Sequence, residues 1–105
     1  MRVLFDQGTP VPLRRFLSGH RVSTAFELGW MRLKNGDLLK AAEESGFEVF
    51  VTTDSNLKYQ QNLGARVLAI VVLNSASWPR IALQVEQVVR AVDEARPGSY
   101  AEVLV

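Results

Sequence analysis

Phe47-Glu48-Val49-Phe50-Val51-Thr52, followed at once by Thr53-Asp54-Ser55-Asn56, is the stretch on which the fold turns. All but Glu48 in its first part are apolar, β-branched or aromatic, which reads as a strand. The residues after Thr52 are helix-capping types, and the short helix they open runs through Asn62 and is closed by Gly64. A strand passing directly into a helix is the repeating unit of an α/β sheet.

The same grammar recurs on either side. Val3-Leu4-Phe5 is a continuous apolar run ending at Asp6-Gln7-Gly8-Thr9-Pro10, the pattern of a strand buried on both faces and then a turn. Pro10 and Pro12 suit a helix start, after which Leu13, Phe16 and Leu17 share a helical face until Ser18-Gly19. Arg21 to Phe26 reads as the second strand, and Gly29 to Gly36 as a loop. Asn35-Gly36-Asp37 then introduces a helix over Leu38 to Glu44, stopped by Gly46. Arg66 to Leu73 is the fourth and most apolar strand. From Trp78 to Ala95, apolar residues at Ile81, Val85, Val88, Val89 and Val92 have the spacing of a helix laid on a sheet, broken by Pro97-Gly98. This alternation predicts a three-layer α/β/α sandwich with a mostly parallel four- or five-stranded sheet. Residues 96–105 are either an edge strand or a tail that pairs with another subunit.

Composition narrows the function classes. A chain of 105 residues with 48% hydrophobic content is expected to form a single domain over 1–105 with a real core. Its 12 basic and 11 acidic residues give a net charge of +1, so any nucleic-acid contact must use a local patch. Cysteine is absent, which removes disulfides, thiolate catalysis and cysteine-ligated metals. The longest apolar run, Val67 to Leu73, is too short to span a bilayer, so a soluble cytoplasmic protein without membrane contact is expected.

Asp6, Asp37 and Asp54 each fall where an apolar strand or a turn gives way to a helix. In a parallel α/β sheet those junctions share one edge, so the three can meet in one acidic site. Clustered carboxylates repel unless a cation neutralises them, and Mg²⁺ or Mn²⁺ is the natural occupant for such hard oxygen donors. Carboxylate-held metal deprotonates water and stabilises a leaving oxygen, the two needs of phosphodiester hydrolysis. Asp6 and Asp54 are then the direct ligands, and Asp37 completes the shell or orients the attacking water. Asn56 is a supporting candidate as a neutral donor, and Glu27, at the end of the second strand, as a fourth carboxylate. Arg14, Arg15, Arg32, Lys34 and Lys58 are candidates for gripping a nucleic-acid backbone.

Each aspartate also has an ordinary explanation. An acid after a strand makes an Asx turn or caps the next helix, for ~1 kcal/mol. Asp37 is the most easily explained this way, because the helix dipole favours an acid in the first turn. Asp6 is the hardest, since a charge straight after a buried run needs a partner to offset its desolvation. His20 reads as a solvated turn residue, Trp30 and Trp78 as anchors of loops to the core, and Gln60, Gln61 and Asn62 as a solvated helix end.

Three segments, Val3-Leu4-Phe5-Asp6-Gln7-Gly8-Thr9-Pro10, Asn35-Gly36-Asp37-Leu38-Leu39-Lys40-Ala41-Ala42-Glu43 and Val51-Thr52-Thr53-Asp54-Ser55-Asn56-Leu57, resemble in order and spacing the short PIN-like domains, relatives of PIN-domain nucleases and toxin components. The resemblance runs from residue 1 to about the fourth strand. It implies a PIN-like architecture, metal-dependent cleavage of an RNA substrate through Asp6, Asp37 and Asp54, and the setting of a toxin with an antitoxin or homodimeric partner. The sequence departs from the family pattern in two places. Asn56 and Leu57 stand where relatives carry an acid and an aromatic residue, and Gln7 where an acid often follows the first aspartate. Both changes lower the site's negative charge, so the alternative is a non-catalytic PIN-like interaction module with a depleted acidic site. A phospho-acceptor receiver domain fits less well, because Asp6 lacks an adjacent acid and the last segment has no lysine.

Overall fold

The computed structural model describes residues 1–105. Five strands, β1 (Arg2–Phe5), β2 (Arg21–Thr24), β3 (Val49–Thr52), β4 (Ala69–Leu73) and β5 (Tyr100–Val103), form one sheet in the order β2-β1-β3-β4-β5. Every pairing is parallel. The sheet is therefore fully parallel and five-stranded, with residues 96–105 contributing an edge strand of this chain. No helix is long and apolar enough to cross a membrane.

Alternation along the central strands sends side chains into two separate cores. Val3, Phe5, Val49, Val51, Val71 and Leu73 point to one face, where Leu13, Ile81, Val88 and Val92 cover them. Leu4, Phe50, Ile70 and Val72 point to the other, under Leu38, Leu39, Ala42 and Leu57. A strand buried on both sides has no polar position to spare, which is why β1, β3 and β4 read as unbroken apolar runs. The helices are α1 (Asn35–Glu44), α2 (Leu57–Gln60), α3 (Trp78–Leu83) and α4 (Val85–Asp93). Gly46, with φ of +83°, takes the left-handed turn that ends α1 and leads to β3.

Several local expectations are corrected. Val11–Phe16 is a 3₁₀ turn, not an α-helix; Pro10 and Pro12 lack amide hydrogens, and only Leu13 is buried within the turn. The helix expected over Trp78 to Ala95 is two, with Gln84 at φ −119° between them. α3 packs on the 3₁₀ turn, while α4 packs on that turn and on β5. The fourth strand starts only at Ala69, because the amides of Val67 and Leu68 are taken by the Glu43 carboxylate at 2.8 and 3.3 Å. α1 begins at Asn35, earlier than expected, which puts Asp37 inside its first turn.

Candidate functional site

In this strand order the chain leaves β1 for β2 on one side and returns to β3 on the other. The crevice outside the carboxyl ends of β1 and β3 is thus the topological switch point, where open α/β sheets place their ligands. Asp6 follows β1 and Asp54 follows β3 by two residues.

One hydroxyl joins them. Thr52, only 1% exposed, donates its Oγ1 proton to Asp6 Oδ2 and accepts the Asp54 amide at 3.0 Å. The other Asp6 oxygen, Oδ1, accepts from Thr9 Oγ1 at 2.7 Å, and Thr9 is buried as well. Asp54 Oδ1 accepts the amide of Asn56 at 3.0 Å in an Asx turn, and its Oδ2 lies 3.4 Å from Asn35 Nδ2. The loops carrying the two acids touch: a Cβ at Gly8 would sit 2.7 Å from Thr53 Oγ1, so any larger residue there would have to displace the Thr53 side chain.

Asp37 does not join them. It is exposed on α1, whose Leu38, Leu39 and Ala42 turn to the core, and the neighbour that reaches Asp54 is Asn35. No group of three His, Cys, Asp or Glu side chains is placed to hold a metal ion. The expectation of three convergent acids is therefore replaced by a pair, because the helical turn that exposes Asp37 is the one that buries Leu38 and Leu39. Glu27 does lie at this edge, but Arg14 binds both of its oxygens and Thr24 exchanges backbone-to-side-chain hydrogen bonds with it at 2.9 and 3.1 Å. The Arg14 guanidinium, then the Thr24 amide, hold its carboxyl below the usual range. Glu27 is thus a neutralised wall of the cleft, not a fourth ligand. Asn56 contributes its amide to Asp54 while its exposed side chain makes no hydrogen bond.

The exposed Asp37, Glu44, Glu48, Glu86 and Glu94 have no cation partner, but among the half-buried acids the pair stands apart, since Glu43 has Arg66. The ion pairs are Arg14–Glu27, His20–Asp93, Lys58–Glu102 and Arg66–Glu43, so neither Asp6 nor Asp54 has a cation within 4.0 Å. All their partners are neutral hydroxyls and amides. Two hollows open on Asp6: a cleft of about 450 Å³ with Thr9, Arg14, Phe26 and Glu27, and one of about 160 Å³ with Trp30, Met31, Leu33 and Asn35. A larger groove of about 600 Å³ runs between α4 and β5, away from the switch point, and is lined by Arg90, Glu94 and Glu102 among others.

Sequence reasoning missed Thr9 and Thr52, although their positions, three residues after one aspartate and two before another, were visible. The reading of His20 is corrected. Its side chain is 10% exposed, with Nε2 2.6 Å from Asp93 and Nδ1 3.1 Å from the Met1 amine, at the opposite end of the strands. Trp30 and Trp78 are anchors, packed on Phe47 at 6.1 Å and Phe16 at 5.8 Å between ring centroids. No family model matches the chain, and neither a curated protein nor a solved structure does.

Proposed function

We propose that the β1/β3 edge holds a single Mg²⁺ or Mn²⁺ and that the chain is a metal-dependent phosphodiesterase acting on RNA. The observation that carries this reading is two half-buried carboxylates without cation partners at the switch point, the Asp6 carboxylate being held to the Asp54 backbone amide by one buried hydroxyl. The donors are all hard oxygens, which suits Mg²⁺ or Mn²⁺ rather than softer metals. Mg²⁺ commonly needs only one or two carboxylates, filling its shell with water and substrate phosphate, so Asp6 and Asp54 suffice without Asp37. The resemblance of the three aspartate segments to short PIN-like domains supports the same chemistry.

When bound, the ion supplies an activated water and charge neutralisation at the phosphate. The protein does the positioning. Thr52 fixes Asp6 relative to Asp54, Thr9 pins the second Asp6 oxygen, and the Asn56 side chain is a neutral donor for a phosphate oxygen. A non-catalytic interaction module is the second reading, favoured by the fact that both Asp6 oxygens already receive internal hydrogen bonds.

Calorimetric titration of metal-free protein with Mn²⁺ separates the two. Wild type should bind, gain about 2.7 kcal/mol of stability at a hundred-fold excess over Kd, and cleave RNA. Asp6→Asn and Asp54→Asn should lose all three properties, and Asp37→Asn should keep them. Absence of heat and of stabilisation in wild type selects the interaction module.

A further inference from the structure

Five cations were candidates for gripping a strand, and the fold sorts them. Arg14 is committed to Glu27. Lys58 is committed to Glu102 on β5, at the far edge of the sheet. Arg15 is also exposed and in no ion pair, but it sits on the 3₁₀ turn and not in the connection that lines the smaller hollow. Arg32 and Lys34 remain, both exposed and in no ion pair, in the connection from β2 to α1. They alternate with Met31, Leu33 and Asn35, which line the smaller hollow beside Asp6.

That connection is a built element. Its backbone closes on itself through Leu28 N–H to Thr24 O at 3.2 Å, Trp30 N–H to Ala25 O at 2.9 Å and Leu33 N–H to Trp30 O at 3.1 Å. Trp30 anchors it edge-on to Phe47. Upon this frame three large apolar side chains stand out in solvent: Phe26 at 67%, Leu28 at 37% and Met31 at 48% exposure. Phe26 lines the larger cleft with Asp6 and Arg14, beside Val11, itself 56% exposed. Exposed apolar groups gathered around a polar site mark a binding surface.

We infer that the β2–α1 connection is the substrate-holding element, with Arg32 and Lys34 on two phosphates and Phe26 stacked on an unpaired base, so that the substrate is a single strand and not a duplex. This rests on the phosphodiesterase reading for its site but makes separate demands. Two cations on this connection and a net charge of +1 are too few to hold a strand by phosphate contacts alone. The remaining affinity must come from stacking, and only bases freed from a helix present a face to Phe26.

The test is anisotropy of a short fluorescein-labelled oligoribonucleotide of mixed sequence, single-stranded or annealed to its complement, in metal-free buffer over a series of salt concentrations. Wild type should bind the single strand and prefer it to the duplex. Phe26→Ala should weaken binding roughly ten-fold, and Phe26→Trp should restore it. The Arg32→Ala/Lys34→Ala double variant should flatten the slope of log K against log salt by about 1.4, at ~0.7 for each phosphate contact. Binding that depends on these residues without any Mn²⁺-dependent cleavage leaves this inference standing and removes the phosphodiesterase. Cleavage abolished by Asp6→Asn but untouched by either loop variant does the reverse. Equal binding of duplex and single strand overturns the inference, and so does no binding of either, which assigns the exposed Phe26, Leu28 and Met31 to a protein partner.

Discussion

The β1/β3 edge and the β4/β5 edge both carry acids on or after parallel strands, and they differ in what answers the charge. On β5, Glu102 accepts from Lys58 Nζ at 3.0 Å and from the Tyr100 hydroxyl at 2.9 Å. Lys58 holds that carboxyl below its ordinary range, while burial first and the neighbouring carboxylate second push the Tyr100 hydroxyl up to about 12. At the switch point, Asp6 and Asp54 meet only neutral donors, Thr9, Thr52, Asn35 and the Asn56 amide. A carboxylate beside a cation has its field cancelled within the protein. One oriented by hydroxyls keeps its charge for something outside. The first arrangement suits a sheet edge that must not pair with other chains, and the second is what the proposed cation site requires.

Removing the shared hydroxyl should have the largest effect. Thr52→Val keeps the shape of a residue 1% exposed but strands one Asp6 oxygen and the Asp54 amide. It should cost about 2 kcal/mol in urea unfolding, as expected for buried polar groups without partners. It should also weaken Mn²⁺ roughly ten- to hundred-fold, as loss of a group that orients ligands does. Equal Mn²⁺ affinity in variant and wild type would erase the contrast between the two edges.

Glu43 is a cation-paired acid in a more enclosed setting and sharpens the comparison. Burial, the largest influence, would raise its pKa, but Arg66 at 2.7 Å and the amides of Val67 and Leu68 outweigh it and hold the carboxyl below the usual 4.5. A folded-state value below the unfolded one contributes stability that is present above 4.5 and lost as pH falls through the lowered value. Unfolding midpoints measured from neutral to acid pH should show this loss in wild type. Glu43→Gln should be less stable by about 1–2 kcal/mol at neutral pH and should lack that component of the acid loss.

The smallest effect is expected at Glu102. Its pair with Lys58 is open to solvent, where such pairs contribute little, so Glu102→Gln should leave the urea midpoint nearly unchanged. Tyrosinate absorbance should nonetheless report the change, with Tyr100 titrating below about 12 once the carboxylate is gone. A large stability loss here would make the β5 edge a structural keystone instead of a neutralised rim.

Much of the architecture was legible because burial writes a local pattern. Val3-Leu4-Phe5, Val49-Phe50-Val51 and Ala69 to Leu73 are apolar on both faces and can only be interior strands. Asp6 and Asp54 were legible as acids at strand ends. Asp37 was misplaced because helix periodicity fixes which residues face the core but not where the exposed ones point relative to a neighbouring loop. Glu27 and Arg14 lie 13 residues apart, and nothing local announces their pairing. Gln84 likewise gave no sign of ending a helix, since it is neither glycine nor proline.

By itself, then, the sequence determined the alternation of strand and helix, the residues of the two cores and the absence of thiol chemistry, all consequences of side-chain type and short-range spacing. Tertiary structure alone decided the strand order, the parallel docking of β5 on β4, and the meeting of Asp6 with Asp54 through Thr52. The reason is physical: Asp6 and Thr52 are 46 residues apart, and whether their side chains meet depends on which strands pair, a choice made by the packing of the whole sheet.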